Sequence, residues 1–130
     1  MTMPAGKYYV GDLCYVMTDD EWQQVCARTI QGNKIVDGEF ELDDGRRFAI
    51  YGTAYGDGEY YDQYGHTYSV DAGSIGCILM SDIRANKYDN ILDLGAVQEF
   101  AEPFETDSQG GQLKFGHVMI DTDPVYEDEE

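Results

Sequence analysis

The sequence predicts an α+β fold, mostly β, with one N-terminal helix packed on a strongly bent antiparallel sheet or a partly closed barrel. Three observations carry this expectation. The segment after Thr18 has every local signal of a capped amphipathic helix. After Gly32 the apolar pattern changes to period two. Turn signals at Asp44-Gly45 and Gly65 then divide the alternating stretches into hairpins. Six or seven strands are expected.

The opening stretch KYYVGDLCYVM reads as a half-buried strand interrupted at Gly11-Asp12. Tyr8 and Val10 alternate with Tyr9, then Cys14 and Val16 with Tyr15. In the helix, Thr18 is the N-cap and Glu21 completes a capping box. Met17 and Trp22 stand where a hydrophobic staple closes, and Asp19, Asp20 and Glu21 suit the positive end of the dipole. Trp22, Val25, Cys26 and Ile30 mark one face, and Gly32 is a natural stop. The predicted helix is 19–31, with Trp22 and Cys26 in the core.

GEFELDDGRRFAIYGTA reads as strand, turn, strand. Phe40 and Leu42 point one way, Glu39 and Glu41 the other, and Phe48 and Ile50 continue the apolar face. EYYDQYGHTYSVDAG is a second hairpin with Gly65 near its tip, and SIGCILM (74–80) a fully covered strand. Residues 81–95 fit a short helix or an irregular connection. AVQEFAEPF and QLKFGHVMID read as two further strands, with ETDSQGGQ a polar loop between them and Pro103 an edge or bulge. The expected organisation is a single globular domain over 1–122 and an acidic, fraying tail over 123–130.

Aspartate and glutamate number 26 against 8 lysine plus arginine, a formal charge of -18. Such a balance repels nucleic acid phosphates and anionic lipid and favours basic partners. Direct nucleic acid binding and membrane association are therefore not expected. Solubility is the plainer role for the same charge. The abundance of aromatic residues separates this chain from disordered acidic segments. Three scattered cysteines and no leader-like segment fit a reducing cytoplasm. No apolar run approaches 18 residues.

Motifs for catalysis are sparse. No Gly-Lys-Ser/Thr follows a glycine cluster, and Gly56-Asp57-Gly58 does not open a helix as a dinucleotide fingerprint must. His66 and His117 are isolated, so a zinc site needs distant residues to converge. His66 reads as a solvated loop residue and His117 as part of a half-buried strand. Asp57, Glu59 and Asp62 are hard-oxygen ligands in a glycine-rich stretch, but their spacing departs from the EF-hand. No catalytic residue and no cofactor is assigned, and the protein is expected not to be an enzyme.

The stretch from Tyr51 to Gly73 holds six tyrosines and four carboxylates and no lysine or arginine. Tyrosine offers rigid contact area with a polar tip and is enriched in hot spots. It also favours strands for purely structural reasons. Carboxylates around tyrosines steer a basic partner. The candidate partner-binding residues are Tyr55, Asp57, Glu59, Tyr60, Tyr61, Asp62 and Tyr64, joined by Glu39, Glu41, Asp43 and Asp44. Glu39 and Glu41 lie about 6.7 Å apart on one strand face. Duplex DNA carries a phosphate every ~3.4 Å per strand, so two neighbouring rows of acids match its charge density and permit DNA mimicry.

YYVGDLCYV (8–16) and YGDGEYYDQYGHTYSVDAGSIGC (55–77) together resemble a group of small proteins of bacteria and their phages. That group carries a Gly-Asp-x-Cys-Tyr segment near its start, then Tyr-Gly-Asp-Gly and Val-Asp-x-Gly-x-Ile-Gly. The resemblance covers about a quarter of this chain. Leu13 stands where the group places proline. The resemblance implies a small intracellular, phage-type protein and, by analogy, an anti-CRISPR or other anti-defence inhibitor. The expected function is non-enzymatic inhibition of a host nucleic-acid-handling complex through a basic surface. Alternatives are a calcium- or small-ligand-binding domain and an immunity protein against a basic toxin.

Overall fold

A computed structural model of the chain describes residues 3–31, 34–35, 38–53, 58–70, 73–83, 94–109 and 111–122. In chain order the elements are β1 (Gly6–Gly11), α1 (Asp19–Thr29), β2 (Ile30–Gln31), β3 (Lys34–Ile35), β4 (Gly38–Glu41) and β5 (Arg47–Gly52). They continue as β6 (Gly58–Asp62), β7 (Thr67–Val70), β8 (Ser74–Leu79), β9 (Ala96–Phe100), β10 (Thr106–Gln109), β11 (Gln112–Phe115) and β12 (Val118–Asp121). Two five-stranded antiparallel sheets result, ordered β4-β5-β8-β1-β9 and β10-β11-β12-β6-β7, with β2 and β3 forming a separate ribbon. The sheets do not close into a barrel.

The layers follow from which faces are apolar. Tyr8, Val10, Ala49, Tyr51 and Cys77 on one face of the first sheet meet Tyr68, Leu113, Phe115, Val118 and Ile120 of the second in one core. The opposite face of the first sheet, with Tyr9, Phe48, Ile50 and Ile78, is covered by Leu13, Val16, Met17 and Val25. The order is therefore helix, sheet, sheet. A sheet covered on both faces needs continuous apolar runs. Tyr8, Tyr9 and Val10 are accordingly all buried, so β1 is a central strand and not half-buried. The covered strand expected at 74–80 is β8, between β5 and β1.

That double covering makes Gly76 a packing residue. A Cβ there would run into the Ala49 carbonyl oxygen and lie 2.8 Å from Leu13 Cδ1. The Gly76→Ala variant is expected to lose about 2–3 kcal/mol of stability by overpacking, read as a lower denaturant midpoint at unchanged slope. A loss under about 0.5 kcal/mol contradicts the tight packing.

Both predicted hairpins form. In the first, Gly45 (φ +91°) occupies the turn between β4 and β5. In the second, Gly65 (φ +86°) occupies the turn between β6 and β7. The capping box also forms, with Thr18 N–H donating to Glu21 Oε1 at 2.8 Å and Glu21 N–H to Thr18 Oγ1 at 3.1 Å.

Several expectations are corrected. Leu13–Tyr15 is a 3-10 turn, because the Asp12 carboxylate accepts from Cys14 N–H (3.0 Å) and turns the chain out of the sheet. The helix stops at Thr29, where β2 begins. Its buried line is Glu21, Val25 and Thr29, while Trp22 and Cys26 are half-buried. Trp22 still packs against the core, and the buried Glu21 carboxylate pairs with Arg46. Residues 106–109 of the supposed polar loop are strand β10, paired with β11. QLKFGHVMID is two strands folded at Gly116 (φ +59°), which places His117 in an exposed turn. Of 81–95, Met80–Asp82 is a 3-10 turn and 84–93 lie outside the described residues, as does the tail 123–130. Among the described residues no helix is long and apolar enough to cross a membrane.

Candidate binding surface

The β6–β7 hairpin is organised by Asp62. Gly65 N–H donates to the Asp62 carbonyl (3.1 Å), closing the turn over Gln63 and Tyr64. The Asp62 side chain is fully buried. Its Oδ1 accepts from the backbone N–H groups of Tyr64 (2.8 Å) and His66 (3.0 Å). Its Oδ2 accepts from Tyr68 Oη (2.7 Å), His66 Nδ1 (3.0 Å) and, more distantly, Gln98 Nε2 (3.4 Å). An ionised carboxylate only accepts, so Nδ1 of His66 carries the proton here.

Burial alone would raise the Asp62 pKa. The hydrogen bonds from Tyr68 and His66 and from the two backbone amides outweigh it and hold the carboxyl below its usual range. Burial and the adjacent carboxylate push the Tyr68 phenol up. Gln98 belongs to β9 of the first sheet, so the network pins the two sheets together at one end.

A second polar bridge pins the other end. Thr106 Oγ1 of β10 donates to Glu39 Oε2 (2.8 Å), which leaves it to accept from Tyr51 Oη (2.7 Å). Glu39 is thus a half-buried inter-sheet contact rather than part of an open acidic row. Glu41 is exposed and stands opposite Arg47. Asp43 pairs with Arg28 (2.5 Å), while its N–H donates to Gln24 Oε1. Asp44 pairs with Arg46 (2.9 Å). Asp43 and Asp44 of the first hairpin are thus matched by cations of the helix and of the turn itself.

The remaining candidates separate by face. Tyr60 is buried in the inter-sheet core and Asp62 is committed to its network, so neither presents itself to a partner. Tyr55 and Asp57 lie outside the described residues. Glu59, Tyr61 and Tyr64 are exposed, Tyr61 at 55% and Tyr64 at 58%. Glu59 and Tyr61 belong to the outer face of the second sheet, together with Met119 (46% exposed), Asp107, Gln112, Lys114 and Asp121. Ladder register sets Asp121 directly opposite Tyr61 and Asp107 directly opposite Lys114. A groove of about 240 Å³ runs between Tyr61 and Met119, bounded also by Gln63, Gln112 and Asp121.

Asp107, Met119 and Asp121 are the surface residues that sequence reasoning missed. Asp107 lies in ETDSQGGQ, which reads as a polar loop, and QLKFGHVMID reads as one strand with no turn at Gly116-His117. Period-two alternation in QLKF and VMID, taken separately around the glycine, is the signal that finds them.

The calcium alternative loses a ligand in this arrangement. Every acceptor site of the Asp62 carboxylate is engaged by a protein donor, and Asp57 lies outside the described residues. His66 is held by Asp62 at Nδ1 with about half of its side chain exposed, flanked by the Tyr64 ring 6.3 Å away between centroids. Tyr64 in turn neighbours His117, at 6.4 Å. Comparison with protein-family models, with curated proteins and with solved structures yields no match.

Proposed function

We propose that the chain is a non-enzymatic binding protein that blocks a basic partner through the outer face of its second sheet. The observation that carries this reading is the asymmetry of the layers. The first sheet is covered on both sides, whereas the outer face of the second exposes Tyr61 and Met119 among Glu59, Asp107 and Asp121. Solvent-facing aromatic and thioether groups beside three carboxylates and, among the described residues, a single lysine, Lys114, suit an interface whose partner is positively charged. The overall charge of -18 steers such a partner from a distance. A basic surface in a cell is most often one that handles nucleic acid, and the resemblance to small phage proteins points to a host defence complex as its owner.

Calorimetric titration against purified nuclease–effector complexes, with and without their nucleic acid, tests the reading. Binding is expected to weaken as salt rises and to compete with nucleic acid. Triple reversal of Glu59, Asp107 and Asp121 to lysine is expected to lower affinity about a hundredfold, mostly through association rate. Affinity unchanged by that reversal removes this face from the function.

A further inference from the structure

We propose that the groove between Tyr61 and Met119 seats one arginine side chain of the basic partner, an inference that rests on the reading above and specifies its anchor. The groove is walled by an aromatic ring and a thioether, so it receives an aliphatic stem. It also carries charge. Asp121 is the direct cross-strand neighbour of Tyr61, and Glu59 lies two residues before Tyr61 on the same face. Directly opposed strand residues have Cβ atoms about 4.5–5.5 Å apart, so a cation on the Tyr61 ring lies within reach of the Asp121 carboxylate.

The Met119 end is fixed in place. The Gln63 side chain donates to the His117 carbonyl (2.5 Å) and accepts from Met119 N–H (2.9 Å), extending the β12 edge by one side-chain rung. Lys114, the basic residue among this sheet's described strands, stands between Asp107 and Met119 in the ladders and is not among the residues that line the groove.

These features select among occupants. A purely apolar side chain would fill the walls but draw the Asp121 carboxylate out of water while offering it no charge. An ammonium meets the charge as a point. A guanidinium is flat, stacks on the tyrosine ring and forks onto the carboxylate, satisfying both walls and rim at once.

The test is a nuclear magnetic resonance titration of isotope-labelled protein at about 0.15 M salt, which screens distant charge. The probes are acetyl-Gly-Arg-Gly amide and its lysine and citrulline counterparts. Arginine peptide is expected to shift the amides of Tyr61, Met119 and Asp121, lysine peptide less so, and the uncharged citrulline peptide not at all. Tyr61→Thr and Asp121→Asn should each weaken arginine binding about tenfold, while Asp107→Asn leaves it unchanged. The spectra themselves show whether each variant is folded. Equal binding of citrulline, or shifts spread over the acidic surface with no maximum at the groove, overturns the anchor and leaves the basic-partner reading standing. Groove binding as expected, with no effector complex bound in the calorimetric titration, overturns the reading and leaves the arginine site.

Discussion

Replacing Asp62 with alanine is expected to destabilise the protein by about 3–5 kcal/mol, a large part of the 5–15 kcal/mol typical of a domain. The reason is the number of donors left behind. Tyr68 Oη and Gln98 Nε2 are buried and both point at Asp62 Oδ2, while the Tyr64 and His66 amides lose the acceptor that shapes the turn. Each buried donor without an acceptor costs about 1–3 kcal/mol. Tyr68→Phe removes one donor together with its demand and should cost about 1 kcal/mol. Denaturant unfolding measures both, and an Asp62→Ala loss under about 1 kcal/mol would show that the network is dispensable.

The same carboxylate makes stability depend on pH. Its folded-state pKa is depressed, because the Tyr68, His66 and amide hydrogen bonds overcome the opposing effect of burial. A depressed carboxylate stabilises the fold in full above its unfolded pKa of about 3.9. That contribution is lost as pH falls through the lower folded value. The gap in unfolding free energy between the natural protein and Asp62→Asn should therefore be constant above about pH 5 and shrink below pH 4. A gap that holds steady down to pH 2 excludes the ionised network.

Arg46→Ala is expected to cost about 3–5 kcal/mol, the usual penalty for removing one member of a buried ion pair. Arg46 is 11% exposed and Glu21 8%, and they meet at 2.5 Å. The guanidinium also donates to both oxygens of Asp44 (3.0 and 2.9 Å) and to the Asp82 carbonyl (2.9 Å). One side chain thus ties the helix start, the first hairpin turn and the 3-10 turn after β8 together. Its proton is held more tightly than usual, chiefly by the Asp44 hydrogen bond and further by Glu21, against the effect of burial. Alanine strands Glu21 as a buried charge. The Glu21→Gln, Arg46→Met pair removes both charges and should be less destabilising than the sum of its single changes. Additive single and double variants would show that the two residues do not act as a pair.

Local chemistry was legible wherever it is settled by neighbours in the chain. Thr18 and Glu21 name each other through a three-residue spacing, Gly45 and Gly65 supply turn conformations other residues resist, and SIGCILM is too apolar to lie anywhere but inside. Polar strands were not legible. TDSQ has no apolar signal, and it becomes β10 because β11 offers a backbone edge and because Thr106 can bridge Tyr51 to Glu39. For the same reason Asp62 and Glu39 looked like surface acids. Glu39 meets its donor in Thr106, 67 residues away, and Asp62 is buried where Tyr68 and, 36 residues away, Gln98 converge on it.

By itself, then, the sequence determined the fold class, the capped helix, two hairpins, the covered strand at β8 and the excess of negative charge. Those properties depend on composition, period and spacing, which act over a few residues. The tertiary structure decided which acids are internal ties and which remain outside, because a carboxylate's role depends on the donors that folding brings to it. It also decided that Tyr61, Met119 and Asp121 share one open face. Strands β6 and β12 are far apart in the chain, and only pairing of their backbones sets those side chains together.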